Sequence, residues 1–287
     1  MPGFRAELTG CFSTPCDDNP TVVMLEAGYR HLDLDWRYVN AEVQPEGLAA
    51  AVAGARAMGW RGFNLSMPHK VAVIELLDGL GESARLINAV NCVVHHDGRL
   101  IGQNTDGKGF LSSLAPMRNP VGARVMLLGA GGAARAIAVE LVLAGVAELT
   151  IVNRTAGRAA EVAALVTAAR DISVRTLSWE QPVAVPEQID VLVNCTSIGL
   201  GDPEAMVPIE TQSLRSDLVV ADVIPNPPQT KLLQAAAAAG CPSIDGLGML
   251  VGQGVLGVGF WTGRDLTPGN SPALVAAMRQ ALEEVFG

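Results

Sequence analysis

Gly129 and Gly131 stand two residues apart, directly after the apolar run Val125–Leu128 and before Ala134, Ile137, Ala138 and Leu141 at helical spacing. Strand, glycine turn and helix in that order form a βαβ dinucleotide site. Gly129 permits the tight turn, Gly131 lets the backbone approach a pyrophosphate, and Ala134 takes the third small position, where helix packs on strand. The turn from Gly129 through Ala130, Gly131, Gly132 and Ala133 opens a helix whose free N–H groups and partial positive charge suit phosphate. The next apolar run, Leu149–Val152, ends in Asn153-Arg154-Thr155, with Arg158 one turn further. An NAD site usually carries an acidic residue there, whereas two guanidiniums and a hydroxyl suit a 2′-phosphate. At roughly 1.5–3 kcal/mol for each charge-assisted contact, two of them favour NADP over NAD by about 10²–10⁴-fold.

A hydride carrier needs a substrate site. Three polar clusters precede the glycine turn: Asn64-Leu-Ser66-Met-Pro68-His69-Lys70, Asn88-Ala-Val-Asn91 and Asn104-Thr105-Asp106. Oxidising a secondary alcohol removes a hydroxyl proton as hydride leaves carbon, and the reverse reaction returns it. Lys70 and Asp106 could bracket such an alcohol, with the carboxylate holding the ammonium. Taken singly, Lys70 also reads as a helix-start lysine and Asp106 as a helix N-cap. Cys195 reads as a buried strand-end cysteine, not as a nucleophile.

Taken in order, these clusters resemble a known family. Asn-x-Ser-x-Pro-x-Lys from Asn64, Ala-x-Asn at Asn91, Gly-x-Asn-Thr-Asp-Gly around Asp106, Gly-Ala-Gly-Gly-Ala-Ala-Arg from Gly129, Asn-Arg-Thr from Asn153, Asn-x-Thr-Ser-x-Gly from Asn194 and Asp-Gly-Leu-Gly-Met-Leu-Val-x-Gln ending at Gln253 are similar to shikimate dehydrogenase. The resemblance implies an enzyme that interconverts shikimate and 3-dehydroshikimate with NADP in the pathway to aromatic amino acids. It implies Lys70 and Asp106 as the catalytic pair, and Ser66, Asn91, Thr105 and Gln253 around the ring hydroxyls. It implies NADP contacts from Gly129 to Ala133 and at Asn153, Arg154, Thr155 and Arg158, with Thr196, Val223, Gly246 and Met249 on the nicotinamide side. It also implies a C-terminal helix that returns to the first domain.

The chain departs from the family at one end of the substrate. Family members carry Gly-x-Pro-x-x-His-Ser-x-Ser-Pro near their start, and its two serines hold the carboxylate. Here the stretch is Gly10-Cys-Phe-Ser13-Thr14-Pro15-Cys16-Asp17-Asp18-Asn19-Pro20. A direct register puts Cys16 and Asp18 at the serine positions, and a shifted one presents Ser13 and Thr14. A tyrosine often found before Asn-Pro is Pro225. Three substrate readings follow: shikimate itself; quinate, an amino-shikimate or a related cyclic hydroxy acid; or none, in a catalytically idle NADP-binding regulator. Retention of both Lys70 and Asp106 speaks against the last.

The elements that must position these residues are α/β. The expected architecture is an N-terminal α/β substrate domain plus a Rossmann-like NADP-binding domain with a parallel sheet, and a cleft between them. With 287 residues, two domains are the default. The boundary is set at 115–116, after a Pro- and Arg-containing stretch, giving 1–115 with about 251–287 returning, and 116–250 for the cofactor. His31–Trp36 alternates as a strand, Leu48–Met58 reads as a helix, and Asn91 to Gly102 around His96-Asp97-Gly98 reads as a hairpin. His95 and His96 read as solvated turn surface, and no metal-ligand spacing occurs. A formal charge of −9 argues against nucleic acid or an anionic membrane as partner. Five cysteines without CxxC pairing, no signal segment and no run of eighteen apolar residues point to a cytoplasmic protein, expected as a monomer or homodimer.

Overall fold

The computed structural model describes residues 5–286, which divide into two units: residues 5–105 with 251–285, and residues 106–250. The first unit begins β1 (Glu7–Ser13), α1 (Thr21–His31), β2 (Trp36–Glu42), α2 (Leu48–Ala57), β3 (Gly62–Leu65) and α3 (His69–Ala72). It continues through β4 (Gly79–Leu80), α4 (Glu82–Ile87), β5 (Cys92–His96) and β6 (Arg99–Gln103). Its sheet runs β2-β1-β3-β5-β6-β4, with β1 parallel to both β2 and β3, and β5 antiparallel to β3 and β6. The hairpin is where Asp-Gly places it: Asp97 and Gly98 have φ of 49° and 75°, the left-handed pair of a two-residue turn. Gly59, at φ 69°, ends α2. Its N–H donates to Arg56 O and that of Trp60 to Ala55 O, a Schellman pair that turns the chain into β3. Phe12, Leu48, Val52, Trp60, Phe63 and Leu65 fill the core beneath.

Two expectations change here. His31–Trp36 is not a strand. α1 runs to His31, Asp33 takes a left-handed φ of 53°, and β2 starts at Trp36. The alternation belongs to a helix end and its turn. His95 is also not solvated turn surface, because its Nδ1 lies 2.9 Å from Trp60 O and the ring is partly buried. His96 is exposed.

The second unit holds α5 (Asp106–Leu114), β7 (Arg124–Leu128), α6 (Gly132–Leu143), β8 (Glu148–Asn153), α7 (Ala156–Ala169) and β9 (Ser173–Ser178). β10 (Val191–Asn194), β11 (Val219–Asp222), α8 (Lys231–Ala238) and β12 (Ser243–Ile244) follow. All six strands are parallel in the order β12-β11-β10-β7-β8-β9, so the winding reverses between β7 and β10. The strands read as continuous apolar runs because both faces are covered; Val125 to Leu128 are fully buried. α5 packs on α6: a Cβ on Gly107 would stand 2.2 Å from Ala136 O, and Lys108 Nζ lies 3.3 Å from the buried Glu140 carboxylate. That packing gives α5 to the second unit, so the division falls at Asp106 and not at the expected 115–116.

Two helices end the chain, α9 (Gly246–Thr262) and α10 (Pro272–Phe286), and from Val251 to Val285 the residues belong to the first unit. Trp261 Nε1 donates to Val93 O at 2.9 Å. Leu274, Met278, Ala281 and Leu282 form the buried stripe of α10, at the spacing of one helix face, with Met278 against Gly28. Among the described residues no helix is long and apolar enough to cross a membrane.

Candidate active site

The β7–α6 turn has the shape a diphosphate needs. Gly129 sits at φ 104°, a conformation L side chains rarely adopt, and a Cβ there would meet Thr196 Cγ2 at 3.0 Å and Cys195 O at 3.1 Å. Beyond it the space opens: a Cβ on Gly131 or Gly132 would find nothing within 4 Å. No side chain caps α6, whose N-cap is Gly131, so its first N–H groups face a bare approach. Ala130 is buried, Ala133 is half-buried, and Ala134 is buried against the sheet. At the end of β8, Asn153 Nδ2 donates to Thr155 O at 2.8 Å, and Thr155 precedes α7 as its N-cap residue. Arg154 and Arg158 are both exposed at this corner. The open cradle and the basic strand end fit a dinucleotide carrying a 2′-phosphate.

The loops after β10 and β11 are tied together by buried polar groups. Asn194 Oδ1 accepts from Thr196 N at 3.0 Å and Thr196 Oγ1 at 2.7 Å, while its Nδ2 donates to Asp222 Oδ1 at 3.0 Å. Asp222 also accepts from Ile224 N at 3.0 Å and Thr230 Oγ1 at 2.7 Å. Burial raises the Asp222 carboxyl, and the Thr230, Ile224 and Asn194 donors oppose that shift. Thr196 and Val223 are thereby held at the strand ends beside the switch point. Gly246 opens α9 against this loop, where a Cβ would clash with Ile224 O at 2.2 Å, and Met249 follows half-buried on the same helix. Burial lifts the Cys195 thiol far above its ordinary range, which removes it as a thiolate nucleophile.

In the first unit, Asn91 is the hub. Its O accepts from Leu65 N and Asn64 Nδ2, both at 2.9 Å. Its side chain exchanges hydrogen bonds with Thr105, Nδ2 to Oγ1 at 2.9 Å and Thr105 N to Oδ1 at 2.7 Å. Lys70 lies on the short helix α3, where its O accepts from Val90 N at 2.7 Å and joins the lysine turn to the Asn91 segment. Buried His69 fixes the same turn from the other side, with Nε2 2.7 Å from Val43 O. Ser66 is half-buried just before that turn, and Gln253 is buried on α9. Asp106 is the first residue of α5. Neither His69 nor Asp222 was singled out from sequence, because His69 works through the chain-distant carbonyl of Val43 and Asp222 through the side chains of Asn194 and Thr230.

The end of β1 is the departing region. Ser13 Oγ is buried without a hydrogen-bond partner. Thr14 Oγ1 donates to Glu42 Oε1 at 3.0 Å and accepts from Gln44 Nε2 at 3.0 Å. Cys16 is buried, whereas Asp17 and Asp18 are exposed on the turn before α1. The Cys16 thiol is raised by its burial and further by the charges of Asp17 and Glu42. Burial pushes the Cys11 thiol up to about 11, against the opposing pull of the Ser13 hydroxyl and then of Lys70. Among the described residues no cluster of three or more His, Cys, Asp or Glu side chains could hold a metal.

Relatives carry the same layout. Residues 13–93 match the family described as shikimate dehydrogenase substrate binding domain, and residues 114–204 that described as shikimate / quinate 5-dehydrogenase. A shikimate dehydrogenase (NADP(+)) of Bacillus cereus (strain B4264) is 40% identical over 98% of this chain and 99% of its own. The ligand-free crystal structure of a 5-ketofructose reductase of Gluconobacter sp. strain CHM43 is 58% identical, covers 99% of this chain and 100% of its own, and has a TM-score of 0.94. Shikimate 5-dehydrogenase from Thermus thermophilus, in complex with NADP(H) and shikimate, is 31% identical over 97% of this chain and 99% of its own, with a TM-score of 0.83. Glycine turn, basic strand end and Asn91 hub therefore sit in a fold whose relatives match along nearly all of it, and the chain belongs to the shikimate dehydrogenase family.

Proposed function

We propose that the protein is an NADPH-dependent reductase of a neutral polyhydroxy ketone, with 5-ketofructose the first compound to test. The observation that carries this is the end of β1. In the direct register, Cys16 takes the place of the family's first carboxylate-holding serine, with Asp17 and Glu42 as charged neighbours. Such surroundings repel a carboxylate and leave hydroxyl groups unaffected. The 58% identity to a 5-ketofructose reductase, against 40% to a shikimate dehydrogenase, supports the same choice.

Bound NADPH supplies the hydride. Lys70 delivers a proton to the carbonyl oxygen as it gains negative charge, and Asp106 is the second member of the acid–base pair. Ser66, Asn91, Thr105, Gln253 and the unpartnered Ser13 hydroxyl hydrogen-bond the substrate's hydroxyl groups. Gly129 to Ala133 cradle the diphosphate, with Asn153, Arg154, Thr155 and Arg158 at the 2′-phosphate and Thr196, Val223, Gly246 and Met249 at the nicotinamide. All five cysteines are buried and none forms a disulfide, as suits the reducing cytoplasm in which we place the protein.

A second reading, reversible oxidation of shikimate in its biosynthetic pathway, is favoured by the retained hydroxyl-side set of Ser66, Asn91, Thr105 and Gln253. Initial rates with 5-ketofructose and NADPH, set beside shikimate and quinate with NADP and NAD, decide between the two. The neutral-ketone reading expects the highest kcat/KM for 5-ketofructose. A higher value for shikimate or quinate overturns it.

A further inference from the structure

We infer that Glu42 is a specificity-determining residue that excludes carboxylate-bearing substrates from this site. The inference rests on the neutral-ketone reading and adds the group that enforces it. Glu42 is the last residue of the edge strand β2 and pairs in register with Ser13, the last residue of β1. Thr14 Oγ1 donates to it at 3.0 Å, and Gln44 Nε2 lies 3.4 Å from the same oxygen, so the carboxylate is held although exposed. The next residue, Val43, takes the His69 hydrogen bond on the lysine turn, and Thr14 N donates to Met67 O in that turn. The charge is therefore built into the frame that carries Lys70. Cys16, at the family's first serine position in the direct register, lies within the field of Asp17 and of Glu42.

A serine pair offers donors to a carboxylate, whereas Glu42 engages Thr14 and Gln44 and leaves a fixed negative charge at that end. For charges ~7 Å apart at an effective dielectric between ~20 and ~80, the repulsion weakens binding about three- to fiftyfold. A neutral polyhydroxy ketone escapes it, and its hydroxyls can share the acceptor.

The test compares shikimate with its methyl ester, which keeps the ring and hydroxyls and removes the charge. Dissociation constants are measured by calorimetry on the NADP-saturated protein and its Glu42→Gln and Glu42→Asp variants. In the unmodified protein shikimate should bind at least about threefold more weakly than the ester. Glu42→Gln, which keeps an acceptor for Thr14, should bring the ratio close to one, and Glu42→Asp should preserve it. A ratio near one in the unmodified protein, a ratio that Glu42→Gln leaves in place, or equal loss in both variants overturns the inference. Absence of binding by both ligands in every variant overturns it too, since removing the charge would then admit nothing. The neutral-ketone reading stands or falls separately, on 5-ketofructose turnover by the unmodified protein.

Discussion

Lys70 projects from a one-turn helix pinned on both sides, by Val90 N on its carbonyl and by His69 on Val43, a mount that suits the proton-transfer role we propose for it. Lys70→Ala should lower kcat by about 10²–10⁴-fold, the range for one positioned acid–base group, with little change in cofactor affinity. Asp106→Asn should fall steeply as well, and the double variant should lose less than the product of the two, as residues acting as one unit do. At the cofactor corner, Arg154→Ala should raise the KM for NADP by about tenfold or more and barely move that for NAD, since only the former presents a 2′-phosphate. Steady-state kinetics with both cofactors checks this. These residues could be named from sequence because motif spacing along one stretch of chain carries them. Glu42 could not. Its neighbours Ser13 and Thr14 meet it only through the β1–β2 register, and nothing near position 42 marks it.

The β7–α6–β8 element and the β5–β6 hairpin could be read from the sequence because their signals are local: an apolar run, then glycine, then helical spacing, or Asp-Gly between alternating strands. β2 could not. As an edge strand it buries only Trp36 and Tyr38, and the exposed Val39 breaks the alternation in its sequence, while the preceding helix end imitates one. The pairing of α5 with α6 was equally hidden, since it depends on Gly107 lying against Ala136 O. Gly107→Ala should force the two helices apart, destabilise by about 1–3 kcal/mol and lower kcat by displacing Asp106; denaturation midpoints and turnover measure the two effects. Asp78 is the pH-sensitive joint of the first sheet, accepting from Leu100 N at 2.6 Å and pairing with Arg56 at 2.8 Å. The Leu100 hydrogen bond, then Arg56, holds its carboxyl below the ordinary value. Its contribution is present above an unfolded carboxyl value of about 3.9 and is lost as pH falls from there through the lower folded value. Asp78→Asn should flatten the acid limb of a stability-versus-pH curve in that window.

Across the whole molecule, a charge of −9 leaves capture of an anionic cofactor to local positive features, for which we propose the α6 N-terminus, Arg154 and Arg158. The first unit is stitched from both ends of the chain. Gly62 lies under Trp261, and an added Cβ would stand 2.2 Å from Val93 O, the acceptor of the Trp261 indole. Gly62→Ala should break that bond and cost about 1–3 kcal/mol of first-unit stability, seen as an earlier denaturant transition in tryptophan fluorescence. Val251 to Val285 complete a unit whose strands all end before Asp106, while residues 106–250 form their unit almost without interruption. On a ribosome, therefore, the amino-terminal strands emerge first yet wait for the last helices, and the middle of the chain is free to mature while they wait. Folding order should therefore run opposite to birth order. Protease pulses on stalled nascent chains should find the central segment resistant before the leading one.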